Sequence, residues 1–151
     1  MATDSTESTP RIVKLREADL ANLEALLQEN QLPTDDCADQ LSAFYGVFDQ
    51  GQLVAAGGLE QAGQHGLLRS VVVDTGHRGQ GLGQTLSEYL IAEARRQGFS
   101  SVCLLTETAD AYFPRLGFVR IERDLAPQSI KNTRQFAGLC PDSAVLMQLS
   151  L

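Results

Sequence analysis

The sequence predicts a mixed α/β fold, and three observations carry that reading. Short β-branched runs alternate with segments whose apolar residues recur at helical spacing. The strongest run, Leu67–Val73, ends in three valines and passes through a glycine-rich loop into the helical pattern Gly83–Gln97. A further strand pattern, Ser101–Leu105, follows, so the second half of the chain carries a βαβ unit.

In order, Ile12–Leu15 reads as a short strand and Glu17–Asn30 as a helix, with Leu20, Leu23, Leu26 and Leu27 at helical spacing. Gln31–Asp36 holds Pro33 and two acids and breaks that helix; a short second helix is expected near Ala38–Leu41. Ala43–Phe48 reads as a strand, Asp49-Gln50-Gly51 as a turn, and Leu53–Glu60 as the next strand. Gly57-Gly58 inside it signals a bulge or the close approach of another backbone. Ala62–Gly66 is a hairpin loop leading to Leu67–Val73. Asp74–Gly81 is a loop, after which Leu86, Leu90 and Ala94 line one helical face. Arg95 and Arg96 occupy the last turn, where cations favour the helix dipole, and Gly98 stops it. Ala109–Leu116 reads as a short helix ended by Gly117, and Phe118–Ile121 as a strand. A polar loop with Pro127 and Pro141 leads to a final strand, Ala144–Leu149.

A chain of 151 residues suits one domain with its own core. Residues 1–10 read as a mobile tail and residues 11–151 as the domain. The net charge of −7, from 19 acids against 12 bases, repels phosphate backbones and argues against nucleic acid as a partner. No long apolar run suggests a membrane span, and the start lacks the basic and apolar regions of a signal peptide, so the cytoplasm is the default expectation. Cys37, Cys103 and Cys140 are odd in number and widely spaced, like reduced thiols rather than a disulfide frame or a zinc site; no metal is expected.

The chemistry-bearing segment is Arg78-Gly79-Gln80-Gly81-Leu82-Gly83, between a strand and a helix. A glycine-rich turn there exposes backbone N–H groups, and the helix start adds a partial positive charge; together they suit a pyrophosphate. A Walker A loop would end in Gly-Lys-Ser/Thr, whereas Gly83 is followed by Gln84 and Thr85. The dinucleotide fingerprint GxGxxG also fits poorly, because the glycines are spaced GxGxG.

Arg78-x-x-Gly81-x-Gly83, with Val71-Val72-Val73 before it and Arg115-Leu116-Gly117-Phe118 after it, resembles the motif pattern of the GNAT superfamily of N-acetyltransferases. The element order fits from Arg11 to Leu149. The resemblance implies a central twisted mixed sheet flanked by helices, with acetyl-CoA as cosubstrate entering between two splayed parallel strands, Leu67–Val73 and Ser101–Leu105. It implies that Val71, Val72 and Val73 pair with the pantetheine arm as an added strand. The amides of Arg78, Gly79, Gln80, Gly81, Leu82, Gly83 and Gln84 would hold the pyrophosphate. Leu67–Val73, Phe113–Phe118, Thr133–Phe136 and Leu139-Cys140-Pro141 further resemble the N-acetyltransferases of bacterial arsenic-resistance operons. By analogy that suggests a small, anionic, amino-acid-like amine as acceptor.

Acetyl transfer to an amine needs a base, an oxyanion site and an acid for the thiolate. Glu60 is the candidate base, against the alternative of a solvated edge carboxylate, and a backbone N–H near Val71 is the candidate oxyanion donor. Many family members carry a Tyr where Phe113 stands, which places Phe113 at the cofactor and leaves no hydroxyl. Tyr112 is the remaining candidate acid, although one residue on a helix turns a side chain by ~100°. Arg69, Thr106 and Arg134 are candidate substrate ligands. A buried Arg69 needs an anion, which is either the substrate or an internal acid. Arg134 competes with a reading as a solvated charge. The other functions open to this sequence are a non-catalytic acetyl-CoA or arsenic sensor and a protein-directed acetyltransferase, and a homodimer through a late strand is left open.

Overall fold

A computed structural model describes residues 11–106, 112–139 and 144–151. The tail at residues 1–10, Cys140 and Pro141 lie outside the described residues. The strands are β1 (Ile12–Lys14), β2 (Phe44–Asp49), β3 (Gln52–Ala62), β4 (His65–Val73), β5 (Ser101–Thr106), β6 (Val119–Ile121) and β7 (Val145–Ser150). The helices are α1 (Leu20–Glu29), α2 (Leu82–Arg96), α3 (Tyr112–Arg115) and α4 (Gln128–Lys131). The strands form one sheet in the order β1-β2-β3-β4-β5-β7-β6. Among the described strands, only β4 and β5 run parallel; the other pairs are antiparallel. The mixed α/β expectation holds, with most element limits shifted by one to three residues.

The structure departs from these expectations in three places. The segment after α1 forms turns and then a 3-10 turn at Leu41–Ala43, rather than a helix near Ala38–Leu41. The region read as a polar loop contains 3-10, α and π turns at Arg123–Leu125, Gln128–Lys131 and Gln135–Leu139. Each is too short to show periodicity, and tertiary burial of Ala126 and Ile130 against the sheet holds them. The last strand, β7, inserts between β5 and β6, an order that linear spacing does not encode.

The sheet buries both faces. Leu82, Leu86, Leu90, Ile91 and Ala94 of α2 pack with Leu59, Leu68, Val102 and Leu104 on one face. On the other, Leu23, Leu26 and Leu27 of α1 pack with Phe44, Ala56 and Val72, while Ile130 of α4 packs with Leu67, Cys103 and Leu146. The glycine pair does mark a bulge, but the extra residue sits across the ladder in β4. Ala56 pairs with Val72 and Gly58 with Arg69, so Ser70 and Val71 oppose Gly57. Ser70 takes up the extra residue at φ 56°, in the left-handed region that non-glycine residues rarely adopt. A Cβ on Gly57 would stand 3.2–3.3 Å from Val71, Leu86 and Leu90, so glycine lets α2 approach the strand closely.

Candidate active site

β4 and β5 pair in register from His65↔Ser101 to Leu68↔Leu104 and no further. Beyond Leu68 the edge of β4 facing β5 is left without a ladder partner, as splayed strands require. An open cleft of about 630 Å³ lies there, lined by Asn30, Leu32, Val71, Val72, Val73, Arg78, Gly83 and Phe113. Leu32 packs with the α1 side of the sheet and Phe113 with the α2 side. The cleft therefore reaches both faces through the gap between the strands.

The glycine-rich loop stands at one end of this cleft. Gly79 and Gly81 have φ 83° and 79°, and Gly81 is the residue from which α2 starts. The first intrahelical bond runs from the Thr85 amide to the Gly81 carbonyl, so the amides of Leu82, Gly83 and Gln84 precede the helical ladder. Such amides, with the helix dipole behind them, suit an anion. Arg78 ties the loop down: its Nε donates to the Val73 carbonyl at 3.3 Å, and its guanidinium bonds Asn30 Oδ1. Asn30 in turn donates to the Leu26 carbonyl at 2.9 Å, which fixes the end of α1 beside the cleft. His77 bridges Asp74 at 3.0 Å and Asp49 at 3.1 Å, and these carboxylates, Asp74 foremost, push its pKa up. Asn30, Leu32 and the Asp49–His77–Asp74 link carried no motif by which the sequence could reveal them.

The second group of candidates lies on the α1 face. Glu60 is 9% exposed and Arg69 3% exposed. Arg69 makes a two-pronged ion pair with Asp36, at 2.6 and 2.7 Å, and its Nη1 also reaches Glu60 Oε1 at 3.4 Å. Its guanidinium carbon lies 5.3 Å from the centroid of the Phe44 ring. The anion that a buried Arg69 demands is thus Asp36 first and Glu60 second, both internal. Burial pushes the Glu60 carboxyl above its usual range, and the pull of Arg69 does not overcome it. Burial also works against ionised Asp36, but the hydrogen bonds and charge of Arg69 hold its carboxyl below the usual range. Glu60 is not among the residues lining the cleft; it faces Leu67, at the last stretch of β4 before the strands part.

The remaining candidates are scattered. Thr106 ends β5 opposite Val145. Arg134 is exposed and lies 3.6 Å from Asp39. The Phe113 ring lines the cleft and meets Phe118 edge-on at 5.8 Å. The side chain of Tyr112 lies outside the described residues. Cys37 and Cys103 are fully buried, and burial raises both thiol pKa values, that of Cys37 to about 11, which suits inert thiols. Among the described residues, no group of three or more His, Cys, Asp or Glu side chains could hold a metal ion, and no helix is long and apolar enough to cross a membrane.

Several solved structures share this architecture. N-acetylglutamate synthase from Neisseria gonorrhoeae, complexed with coenzyme A and N-acetyl-glutamate, matches with a TM-score of 0.82 at 20% identity over 96% of this chain. The chain spans only 36% of that enzyme's length. Rv2747 from Mycobacterium tuberculosis, in a complex that contains CoA, matches with a TM-score of 0.79 at 20% identity, covering 94% of this chain and 99% of that one. The ribosomal-protein-S18-alanine N-acetyltransferase of Escherichia coli gives 0.73 at 20% identity, with 94% of each chain covered. At such identities the likeness is one of fold. No curated protein sequence matches the chain significantly. Residues 11–118, which include the glycine-rich loop, the parting strands and Leu116-Gly117-Phe118, match the acetyltransferase (GNAT) family, and the chain belongs to that family, whose acetyl donor is acetyl-CoA.

Proposed function

We propose that residues 11–151 form an N-acetyltransferase domain that moves the acetyl group of acetyl-CoA to the amino group of a small, anionic, amino-acid-like substrate. The carrying observation is the single cleft that gathers Val71, Val72, Val73, Arg78, Gly83 and Phe113 between the parting strands. In this reading the amides around Gly81–Gln84 take the pyrophosphate, and the unpaired edge of β4 takes the pantetheine arm. Glu60, directly or through one water, accepts the ammonium proton. The amine nitrogen then attacks the thioester carbonyl, an N–H near Val71 stabilises the oxyanion, and the C–S bond breaks. The leaving thiolate takes its proton from Tyr112 or from water, since Phe113 has none to give.

The small-amine reading is supported by the N-acetyl-glutamate held in the Neisseria gonorrhoeae structure. The resemblance of Leu67–Val73 and Phe113–Phe118 to the arsenic-operon acetyltransferases supports a role in detoxifying an arsenic-containing amino-acid analogue. A second reading, transfer to a protein N-terminus, is favoured by the fold shared with the S18-alanine acetyltransferase. The test is free-thiol release from acetyl-CoA across amino acids, amino-acid phosphonates, their arsenic analogues and Ala-starting peptides. Turnover above the hydrolytic background with an anionic small amine, and none with peptides, is expected. Turnover with peptides alone would move the assignment to a protein substrate. Tight acetyl-CoA binding with no turnover on any amine would make the protein a sensor.

A further inference from the structure

Resting on the reading of Glu60 as the base, we propose that Asp36 is a positioning residue that sets the proton affinity of Glu60 through Arg69. The geometry is asymmetric. Arg69 gives Asp36 two short bonds, at 2.6 and 2.7 Å, and leaves Glu60 a single long one at 3.4 Å from an Nη1 already engaged. A carboxylate alone with a buried guanidinium would be strongly acidic and a poor base near neutral pH. Asp36 removes most of that cation's influence, so Glu60 keeps one orienting bond and a proton affinity suited to taking a proton from an amine. The guanidinium carbon also lies 5.3 Å from the centroid of the Phe44 ring.

The other groups near Glu60 do not substitute for this pair. From β4 comes Arg69, and from the segment before β2 comes Asp36, with the thiol of Cys37 beside it. β5 carries Cys103 on the same face, also neutral. Lys131 of α4 is turned to the Asp124 carbonyl at 2.8 Å, and Arg134 acts on Asp36 rather than on Glu60. A lone buried Arg–Glu pair would fix Glu60 more firmly, yet it would cost the reaction its base. That is a reason for a third, competing acid at this position.

The experiment is a titration of the Glu60 carboxyl by NMR in protein labelled with carboxyl-13C glutamate, for wild type, D36N, R69Q and the double variant, without substrate. In D36N, Arg69 turns to Glu60, and its midpoint should fall by roughly one pH unit, the size a close countercharge imposes. R69Q should raise it above wild type. The fall caused by D36N should be larger with Arg69 present than in the R69Q background, since the effect runs through the guanidinium. A merely loosened pocket would instead move every variant downward by hydration. An unchanged or raised midpoint in D36N, equal shifts in both backgrounds, or a fall in R69Q would overturn the proposal. If D36N does not fold, D36S, equally uncharged and smaller, takes its place: the same Arg69-dependent fall supports the proposal, and an unchanged or raised midpoint overturns it. Failure of the base reading shows elsewhere: Glu60→Gln would retain turnover while these midpoints still moved.

Discussion

Glu60→Gln should lower kcat by about 10²- to 10⁴-fold, the range that a positioned general base supplies, while the affinity for CoA stays within about twofold, a change of ~0.4 kcal/mol. Gln keeps the acceptor that meets Arg69 and the volume of the site, but it cannot take a proton. In the wild type, kcat/KM should fall on the acid side as Glu60 becomes protonated, with an inflection above the ordinary carboxylate range because burial raises it. The acid limb should vanish in the variant. Stability should move the other way. A carboxyl whose folded pKa is raised contributes stability below its unfolded pKa and loses it as pH rises through the folded value. At neutral pH the ionised, buried Glu60 is therefore a cost, and Gln removes it. Steady-state rates, a pH profile and thermal melts at neutral pH check all three. A variant that loses activity and stability together would argue for a structural Glu60.

The second large effect is expected at Gly81. Gly81→Val puts a β-branched residue at φ 79°, where an L side chain costs roughly 1–2 kcal/mol. Nothing lies within 4 Å of the new Cβ, so the fold has room for it. The backbone instead relieves strain by rotating, which turns the amides of Leu82, Gly83 and Gln84 away from a common point. Losing even two charge-assisted bonds of about 1.5 kcal/mol each weakens CoA binding by ~10²-fold. Gly98→Val is the matched control. It sits just beyond the other end of α2, at φ 83° and equally without neighbours, and should show a similar thermal shift with unchanged CoA affinity. Isothermal titration with CoA separates the two. Equal affinities would remove the loop from the cofactor site.

Much of this was legible in the sequence because the physics involved is local. The strand–glycine–helix junction needs only the backbone freedom of Gly79 and Gly81 and the periodicity of Leu86, Leu90 and Ala94, all contiguous. The bulge at Ser70 was signalled by its neighbour: Gly57, across the ladder, leaves space for the crowded strand. Long-range pairing was not legible. A buried Arg69 demands an acid, but nothing in spacing selects Asp36, 33 positions earlier, from among 19 acids. The small turns between Arg123 and Leu139 owe their form to what they cover, and a polar, proline-bearing stretch hides that. Asn30 and Leu32 reach the cleft only because α1 ends beside the parting strands.

The extra residue at Ser70 has a kinetic consequence. It resets the alternation of β4, so that Arg69 and Val72 face α1 while Val71 and Val73 face α2. The acid–cation group and two of the valines proposed to meet the donor arm are thereby placed on opposite sides of one strand, and the cleft through the sheet is where the two sides meet. On the proposed assignment of the site, donor and acceptor would occupy the protein together without either leaving first. The rate law should therefore be sequential, passing through a ternary complex, with double-reciprocal lines that intersect; parallel lines, the mark of an acetylated intermediate, would contradict that division of the strand.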